Sequence, residues 1–373
     1  MLRCPLIRRP YPSIWFYVVC LTWLVGCAGS SKLPLRQSWH LVETQDIRLR
    51  SNDTLADTRA WAEQMQTVYA MFAQVMPCKH RTNDVLVEVV MLGDWDDFHA
   101  VAPENAIGYH ATPNFEIAES HSVIVLSPND GPEKLATFKH EIAHRLLHRC
   151  IPEPPIWLTE GVATFMETAY PVDDTLVVGT PKFVLSEQER WEQVWFENRE
   201  VILVPASFLA HAPALFSMDS STFHAEGDAA AGEISNAHYA LASLAVRAMQ
   251  FDDGPLLRSY LTYLRELAQG TDAEVALEAA FGEIDLAAVI KSSIDPDAIS
   301  TRSVPIDQGF RPRIASAPEN LAEGQATWAE LWIIKEQPER ARQHLQLGLA
   351  IDAYAPRLRE LELELLVHEE KNR

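Results

Sequence analysis

Basic residues are scarce in this sequence. Its 373 residues include 31 Lys and Arg against 52 Asp and Glu, which gives a formal net charge of −21 at pH 7. Proteins that bind nucleic acid, or that lie flat on an anionic lipid surface, use an excess of positive charge. The acidic balance therefore argues against both kinds of partner.

The apolar run nearest the N-terminus is short. It covers residues 14–25, which is less than the ~20 residues that a transmembrane helix needs. Arg3, Arg8 and Arg9 precede it. A positive segment followed by a short apolar segment is typical of an export signal. We therefore expect residues 1–26 to be a signal peptide.

The end of that run, LVGC at residues 24–27, resembles the lipobox of bacterial lipoproteins. The resemblance implies cleavage before Cys27 and a lipid on its sulfur, so that the membrane is a partner through this anchor. Ala28 in the next position implies the outer membrane, with the protein facing the periplasm. Residues 27–38 would be a tether. An uncleaved anchor or an ordinary secretory peptide is the alternative.

Cysteine is also rare, with five in the chain. Cys4 and Cys20 would leave with the signal peptide, and Cys27 would carry lipid. Cys78 and Cys150 then remain as an even pair in an oxidising compartment, where disulfides persist. We expect them to form a disulfide, and two buried free thiols are the alternative.

The residues that carry chemistry lie between Phe138 and Ala163. His140 and His144 are four positions apart, and Glu141 follows the first. Positions i and i+4 share one face of a helix, so both imidazoles can reach one point. This H-E-x-x-H pattern is typical of a zinc site in which two neutral His bind the metal and the Glu is the general base.

A second helical pattern follows a proline-rich turn. Three prolines within residues 152–155 end the first helix, because proline cannot continue it. Glu160 lies sixteen residues after His144, and a short helical hairpin can swing its carboxylate back over the His pair. Two His and one Glu, with a fourth position left for water, are the ligand set of a catalytic zinc.

The pattern H-E-x-x-H at 140–144, followed by W-L-x-E-G-x-A at 157–163, resembles the gluzincin metallopeptidases. More narrowly, it is similar to the bacterial peptidase-MA-like group. The resemblance covers about residues 84–170 and extends more loosely to about 295. It implies a thermolysin-like zincin fold of the α+β class, in which a mixed sheet packs on the active-site helix and a mainly α-helical lobe follows.

The resemblance also implies the roles of the site residues. One Zn²⁺ per chain would lie on His140, His144 and Glu160, with Glu141 as base and a peptide or protein as substrate. Thermolysin-type enzymes carry a supporting Asp one turn after the ligand Glu. That position here is Thr164, so the support of the ligands must differ.

A further catalytic residue comes from the same resemblance. In gluzincins a Tyr or His from the C-terminal lobe faces the metal and holds the oxyanion. Tyr239, preceded by His238, is the candidate, and a buried core Tyr is the alternative. Glu167 is expected to cap or pair on the second helix. The histidines expected at the surface or in support of the ligands are His99, His110, His121 and His148.

The sequence pattern after the tether divides the chain into four regions. We expect a zincin α/β lobe over residues 39–170, an α-helical lobe over 171–295, a linker over 296–318 and a helical tail over 319–373. Proline-bearing residues 171–230 favour loops and short helices over the cleft, and 233–295 favour helices throughout.

Individual elements can be placed as well. Residues 107–110 are expected to form an edge strand that pairs with an extended substrate. The other expected strands cover 39–49, 84–92 and 121–127, and the expected helices cover 53–76 and 95–101.

The tail at residues 320–368 resembles one tetratricopeptide-type hairpin with a capping helix. Trp328, Ala341 and Pro356 fall near that repeat's spacing. A single repeat forms no groove alone, so it would pack on the catalytic domain or bind a protein partner. An ordinary helical tail is the alternative.

Together these patterns predict a lipid-anchored zinc metallopeptidase of the cell envelope. A zinc hydrolase that acts on a non-peptide bond is the competing enzyme. A non-catalytic scaffold or assembly lipoprotein is the competing binding protein, although such a module has no need of Glu141.

We predict that Cys27→Ser releases the protein from membranes, because the lipid on this sulfur would be the anchor. Membrane fractionation with lipid labelling measures the effect, and Cys20→Ser is the matched control, since Cys20 lies within the segment that would be removed. Unchanged labelling and membrane retention of Cys27→Ser would contradict the lipobox interpretation.

Overall fold

A six-stranded mixed sheet organises the computed structural model. The structure describes residues 38–76, 86–103, 106–111, 123–128, 132–186, 192–196, 199–225, 231–251, 254–282, 284–292, 301–306 and 313–371. The strands of the sheet are β1 (His40–Glu43), β2 (Ile47–Ser51), β3 (Val87–Met91), β4 (Gly108–Ala111), β5 (Val123–Leu126) and β12 (Ala315–Pro318).

The strand order in this sheet is β12-β1-β2-β3-β5-β4. The pairs β2–β3 and β3–β5 are parallel, and the other pairs are antiparallel. The segment predicted as one strand over 39–49 is a hairpin of two strands. The prediction that residues 107–110 lie at a sheet edge is confirmed, because β4 pairs only with β5 among the described strands.

Helices cover both faces of the sheet. They are α1 (Leu55–Val75), α2 (Trp95–Val101), α3 (Pro132–His148), α4 (Ile156–Glu167), α5 (Ala212–Leu215), α6 (Ser220–Phe223), α7 (Ala231–Phe251), α8 (Pro255–Ala268), α9 (Ala273–Phe281), α10 (Leu286–Ser292), α11 (Leu321–Ile334), α12 (Pro338–Ile351) and α13 (Pro356–Lys371), with a 3-10 helix at Ala206–His211. The mixture of helices and a mixed sheet establishes the α+β class.

The side chains of strand β3 face two different hydrophobic cores, one on each side of the sheet. Val87, Val89 and Met91 face the core that includes α1, α3 and α4. Val90 and Leu92 face a second core shared with α2 and the C-terminal helices. An almost continuous apolar strand is expected where both faces of a sheet are covered.

The C-terminal helices pack on this second face. Trp39 contacts Trp328 edge to face, with ring centroids 6.0 Å apart. Arg50 on β2 pairs with Glu88 on β3 at 2.5 Å and with Glu319, just before α11, at 3.0 Å. The helical tail therefore belongs to the fold, and residues Ser38–Arg373 form one compact unit.

Two stretches differ from the sequence-based expectation. Residues 171–230 were expected to be loops and short helices, but their first half contains strands. The stretch 296–318, expected as a linker, supplies β12 and a further strand. The additional strands are β6 (Tyr170–Val172), β7 (Thr175–Val178), β8 (Phe183–Ser186), β9 (Glu192–Phe196), β10 (Arg199–Pro205) and β11 (Arg302–Pro305).

These strands are short, and some pair with distant parts of the chain. β7 pairs with β11, and β1 pairs with β12. A local sequence window contains only one partner of such a pair, so periodicity cannot predict it. The expectation of helices over 233–295 is confirmed by α7 to α10.

Some predictions lie outside the described residues. They concern the signal peptide at 1–26, nearly all of the tether at 27–38, and Cys27, Cys78 and His121. Within the described part of the chain, no helix has both the length and the apolar character of a membrane span.

We predict that Cys150 is bonded to Cys78 in the exported protein. Cys150, just after α3, is disulfide-bonded in the structure, and its expected partner lies outside the described residues. On the chain-entropy model, closing a loop of this length stabilises the fold by on the order of 4 kcal/mol. Peptide mapping with and without reductant tests the pair. Two freely alkylatable thiols in native protein would refute it.

Candidate metal centre

Two consecutive helices, α3 and α4, form the scaffold of the site. Residues 149–155 connect them, and so short a turn makes them neighbours that run in opposite directions. Trp157 at the start of α4 is fully buried and stacks on Tyr263 of α8, with ring centroids 5.8 Å apart. The hairpin is thereby fixed to the helical lobe.

The hairpin brings the three predicted ligands together. Nε2 of His140 lies 3.3 Å from Oε2 of Glu160, and Nε2 of His144 lies 3.5 Å from the same oxygen. The two imidazole rings are edge to face, with centroids 4.6 Å apart. One ligand atom from each residue lies within 4.8 Å of the other two. The sequence-predicted cluster is therefore formed.

These residues fit a zinc ion. Zinc bonds to nitrogen and oxygen are ~2.0–2.1 Å, so neighbouring ligand atoms in a tetrahedral site are separated by about 3.4 Å. Two of the three separations, 3.3 and 3.5 Å, agree with this value, and the third is no more than 4.8 Å. Oε2 of Glu160 is buried and, apart from the two imidazole nitrogens that face it, has no hydrogen-bond partner among the described atoms. A buried carboxylate oxygen without a further donor is suited to a cation.

The electrostatics of the two imidazoles differ. Burial alone lowers the pKa of His140, but the contacts with Glu160 and Glu167 outweigh it and raise the pKa to about 10. Burial, with the charge of His140, lowers the pKa of His144 to about 3. A cation at this point would compete with a proton for Nε2 of His140 and would find His144 already neutral, as a metal ligand must be.

Glu141 lies beside the cluster and is also buried. Burial raises the pKa of Glu141 to about 7, which suits a group that accepts and returns a proton near neutral pH. Its carboxylate accepts a hydrogen bond from the backbone N–H of His110 on β4. The edge strand and the candidate base are therefore in direct contact.

Gly108 allows this close approach of β4. A Cβ at this position would lie 2.4 Å from Cγ2 of Thr137 on α3. Any larger residue would push the edge strand away from the helix, and with it the His110 N–H that contacts Glu141.

Tyr239 reaches the site from α7. Its ring centroid lies 6.4 Å from that of His140. Its hydroxyl is within hydrogen-bonding reach of Glu160, and burial raises its pKa above the ordinary value. His238 lies behind it, as expected, with Nδ1 2.7 Å from the Phe223 carbonyl oxygen and Nε2 3.1 Å from Nδ1 of His211.

Gly161 sets the distance between α4 and α7. A Cβ on Gly161 would lie 2.7 Å from the carbonyl oxygen of Ala242 and 2.9 Å from Cγ2 of Val246. The two helices cross too closely for any side chain here. The glycine of the W-L-x-E-G pattern therefore brings Tyr239 within reach of Glu160.

Three residues near the site were not among the predicted site residues. Glu167 contacts Nδ1 of His140 at 3.5 Å, and Lys182 contacts Glu167. The charge of His224, just after α6, acts on Glu160, and its ring lies 6.0 Å from that of Tyr239. Glu167 could have been found from its spacing, since residues seven apart share a helix face. Nothing local in the sequence indicates Lys182 or His224.

The other histidines named in the sequence analysis, apart from His121, lie within the described residues. His99 stacks on Trp95 at 5.3 Å, and His148 is exposed. The backbone N–H of His110 contacts Glu141, and burial lowers the pKa of its imidazole to about 4. Thr164, one turn after Glu160, is buried.

No known protein family, curated protein or solved structure matches this chain. The assignment of the site therefore depends on its own geometry and on the residues that form it.

We predict that Gly161→Ala destabilises the protein by ~1–3 kcal/mol, the usual range for overpacking a tight interface. The added methyl would collide with the α7 backbone and shift Tyr239. Urea unfolding measures the change. Gly232→Ala is the matched control, because a Cβ on Gly232 in α7 meets nothing within 4 Å. Equal stability of the two variants would contradict this account of the helix crossing.

Proposed function

We propose that this protein is a zinc metallopeptidase of the gluzincin type with a thermolysin-like fold. One observation carries the proposal: Nε2 of His140, Nε2 of His144 and Oε2 of Glu160 meet at one point beside the buried carboxyl of Glu141. Two histidines and one carboxylate form an open, catalytic ligand set, whereas structural zinc sites use four protein ligands.

Each residue of the candidate site has a separate role in the proposed reaction. His140, His144 and Glu160 would hold the metal, which when bound supplies Lewis-acid polarisation of water and of the scissile carbonyl. Glu141 accepts a proton from the attacking water on its carboxylate and delivers it to the leaving amine. The Tyr239 hydroxyl, kept protonated by its raised pKa, donates a hydrogen bond to the developing oxyanion.

The edge strand favours a peptide as substrate. β4 has no second strand neighbour among the described strands, and its His110 N–H donates to Glu141. An extended peptide that adds to this edge would present a backbone carbonyl beside the candidate base. Backbone pairing of this kind recognises peptides as a class and offers nothing specific to esters or other non-peptide bonds.

The burial of Glu141 supports an enzyme over a scaffold. Burying a carboxyl that could otherwise be solvated costs stability, and this burial raises its pKa to about 7. A binding module that used only the fold would gain nothing from such a group next to two histidines. Proton transfer during catalysis would account for a buried carboxyl group at this position.

The proposed location is the outer membrane, with a lipid on Cys27 and the folded part in the periplasm. This rests on the lipobox-like residues 24–27 and on the disulfide at Cys150, since disulfides persist in oxidising compartments. A protein partner of the helical tail would meet the outer side of α13, where Leu363 and Leu366 are exposed.

We predict that Glu141→Gln keeps zinc but loses peptide hydrolysis by ~10²–10⁴-fold, the usual contribution of a general base. His140→Ala, His144→Ala and Glu160→Ala should lose zinc as well, because two remaining ligands leave a labile site. Zinc stoichiometry and turnover of a peptide library by the detergent-solubilised full chain measure both effects.

Glu63→Gln is the control for this set, because Glu63 is exposed on α1. It should match the wild type in zinc content and turnover. Full activity of Glu141→Gln, or wild-type zinc affinity of Glu160→Ala, would show that the gluzincin assignment is wrong.

A further inference from the structure

Glu167 and Glu160 lie on opposite sides of the His140 ring. Nε2 of His140 faces Glu160 at 3.3 Å, and Nδ1 faces Oε2 of Glu167 at 3.5 Å. Both carboxylates belong to α4, seven residues apart, so they project from nearly the same face two turns from each other. One imidazole is thus held between two acids of one helix.

We propose that Glu167 is the positioning residue for His140, and that Lys182 holds Glu167 in place. This inference rests on the proposed zinc site and identifies what replaces the missing Asp at Thr164. Glu167 faces the Nδ1 side of the His140 ring, and the other ring nitrogen, Nε2, faces Glu160. Glu167 acts through the His140 ring.

The tautomer of His140 is the first consequence. A carboxylate at Nδ1 favours the proton on that nitrogen, which leaves the Nε2 lone pair available to a cation between His140, His144 and Glu160. Metal-binding histidines commonly donate their second N–H to a carboxylate, which fixes the ring and makes the other nitrogen more basic. Glu167 is in the correct place to do this for His140.

Lys182 supplies the matching support for Glu167. Its Nζ donates to both carboxylate oxygens, at 2.7 Å to Oε1 and 2.9 Å to Oε2. The Lys182 backbone is itself held, since its carbonyl oxygen accepts a hydrogen bond from the Ile202 N–H at 2.9 Å. The Thr168 hydroxyl, next to Glu167, donates to the Thr180 carbonyl oxygen at 2.7 Å.

The direction of the hairpin explains why only His140 has such a partner. In an antiparallel pair, later residues of α4 lie beside earlier residues of α3, so Glu167 reaches His140 and not His144. Nδ1 of His144 is buried and has no hydrogen-bond partner within the described residues. Within the described residues, no carboxylate therefore does for Nδ1 of His144 what Glu167 does for Nδ1 of His140.

Zinc affinity of the detergent-solubilised full chain tests the proposal, measured by competition with a chromophoric chelator. Glu167→Ala should weaken zinc binding by ~10–100-fold, the usual effect of removing a residue that orients a ligand. Glu167→Gln keeps an acceptor oxygen without the charge, so its zinc affinity should lie between those of the wild type and Glu167→Ala. The visible spectrum of the Co²⁺-substituted protein should change in Glu167→Ala, because the geometry at His140 changes.

Lys182→Met tests whether Lys182 acts through Glu167. Alone it should weaken zinc binding, but less than Glu167→Ala does. Added to Glu167→Ala it should have no further effect, since residues that work as a unit are not additive. Thr164→Val is the matched control on the same helix. It removes a hydroxyl at the family's supporting position and should leave zinc affinity unchanged.

The outcomes separate this inference from the proposed function. If wild type binds zinc and hydrolyses peptides while Glu167→Ala keeps its affinity and Co²⁺ spectrum, the positioning role is overturned and the peptidase stands. If wild type binds no zinc, both are overturned. If Glu167→Ala does not fold, Glu167→Gln and Lys182→Met decide, and wild-type affinity in both would overturn the proposal.

Discussion

The burial of the Glu160 carboxylate against two imidazoles is the constraint on which the site depends. A carboxylate in an apolar core is costly unless charge or hydrogen bonds compensate it. Its burial would raise its pKa, but the contact with His140 lowers it instead. The α3–α4 hairpin is therefore favourable only when the imidazoles face this oxygen. The same requirement selects the arrangement that can bind a cation.

Helix α4 connects this constraint to the rest of the molecule. Its residues from Trp157 to Met166 are all buried, as expected of a helix surrounded by protein on every side. Trp157 packs on the helical lobe, and Gly161 allows α7 to lie close to α4. Glu167 contacts Lys182, just before β8. A movement of α4 would disturb all three contacts together, so the ligand carboxylate is well fixed.

The local parts of the fold and of the candidate site could be predicted from the sequence, and the parts that depend on long-range contacts could not. The i,i+4 spacing of His140 and His144 and the turn before Trp157 define the hairpin, because both signals are local. The bounds of α2 at Trp95–Val101 agree with prediction for the same reason. Strands β11 and β12 were missed because their partners lie far away in the chain. The contact of Lys182 with Glu167 depends on that same long-range folding.

The sheet contributes to the site through its edge, and the helical tail supports the sheet from behind. β4 can lie against α3 only because Gly108 lacks a side chain, and its position is set by β5 and β3. On the opposite face the apolar side chains of β3 and β5 pack against the tail. A tail that were a separate binding module would leave this face exposed to water, with the cost that exposed apolar surface carries. The tail is therefore part of what holds the edge strand beside Glu141, and any partner can bind only its outer surface.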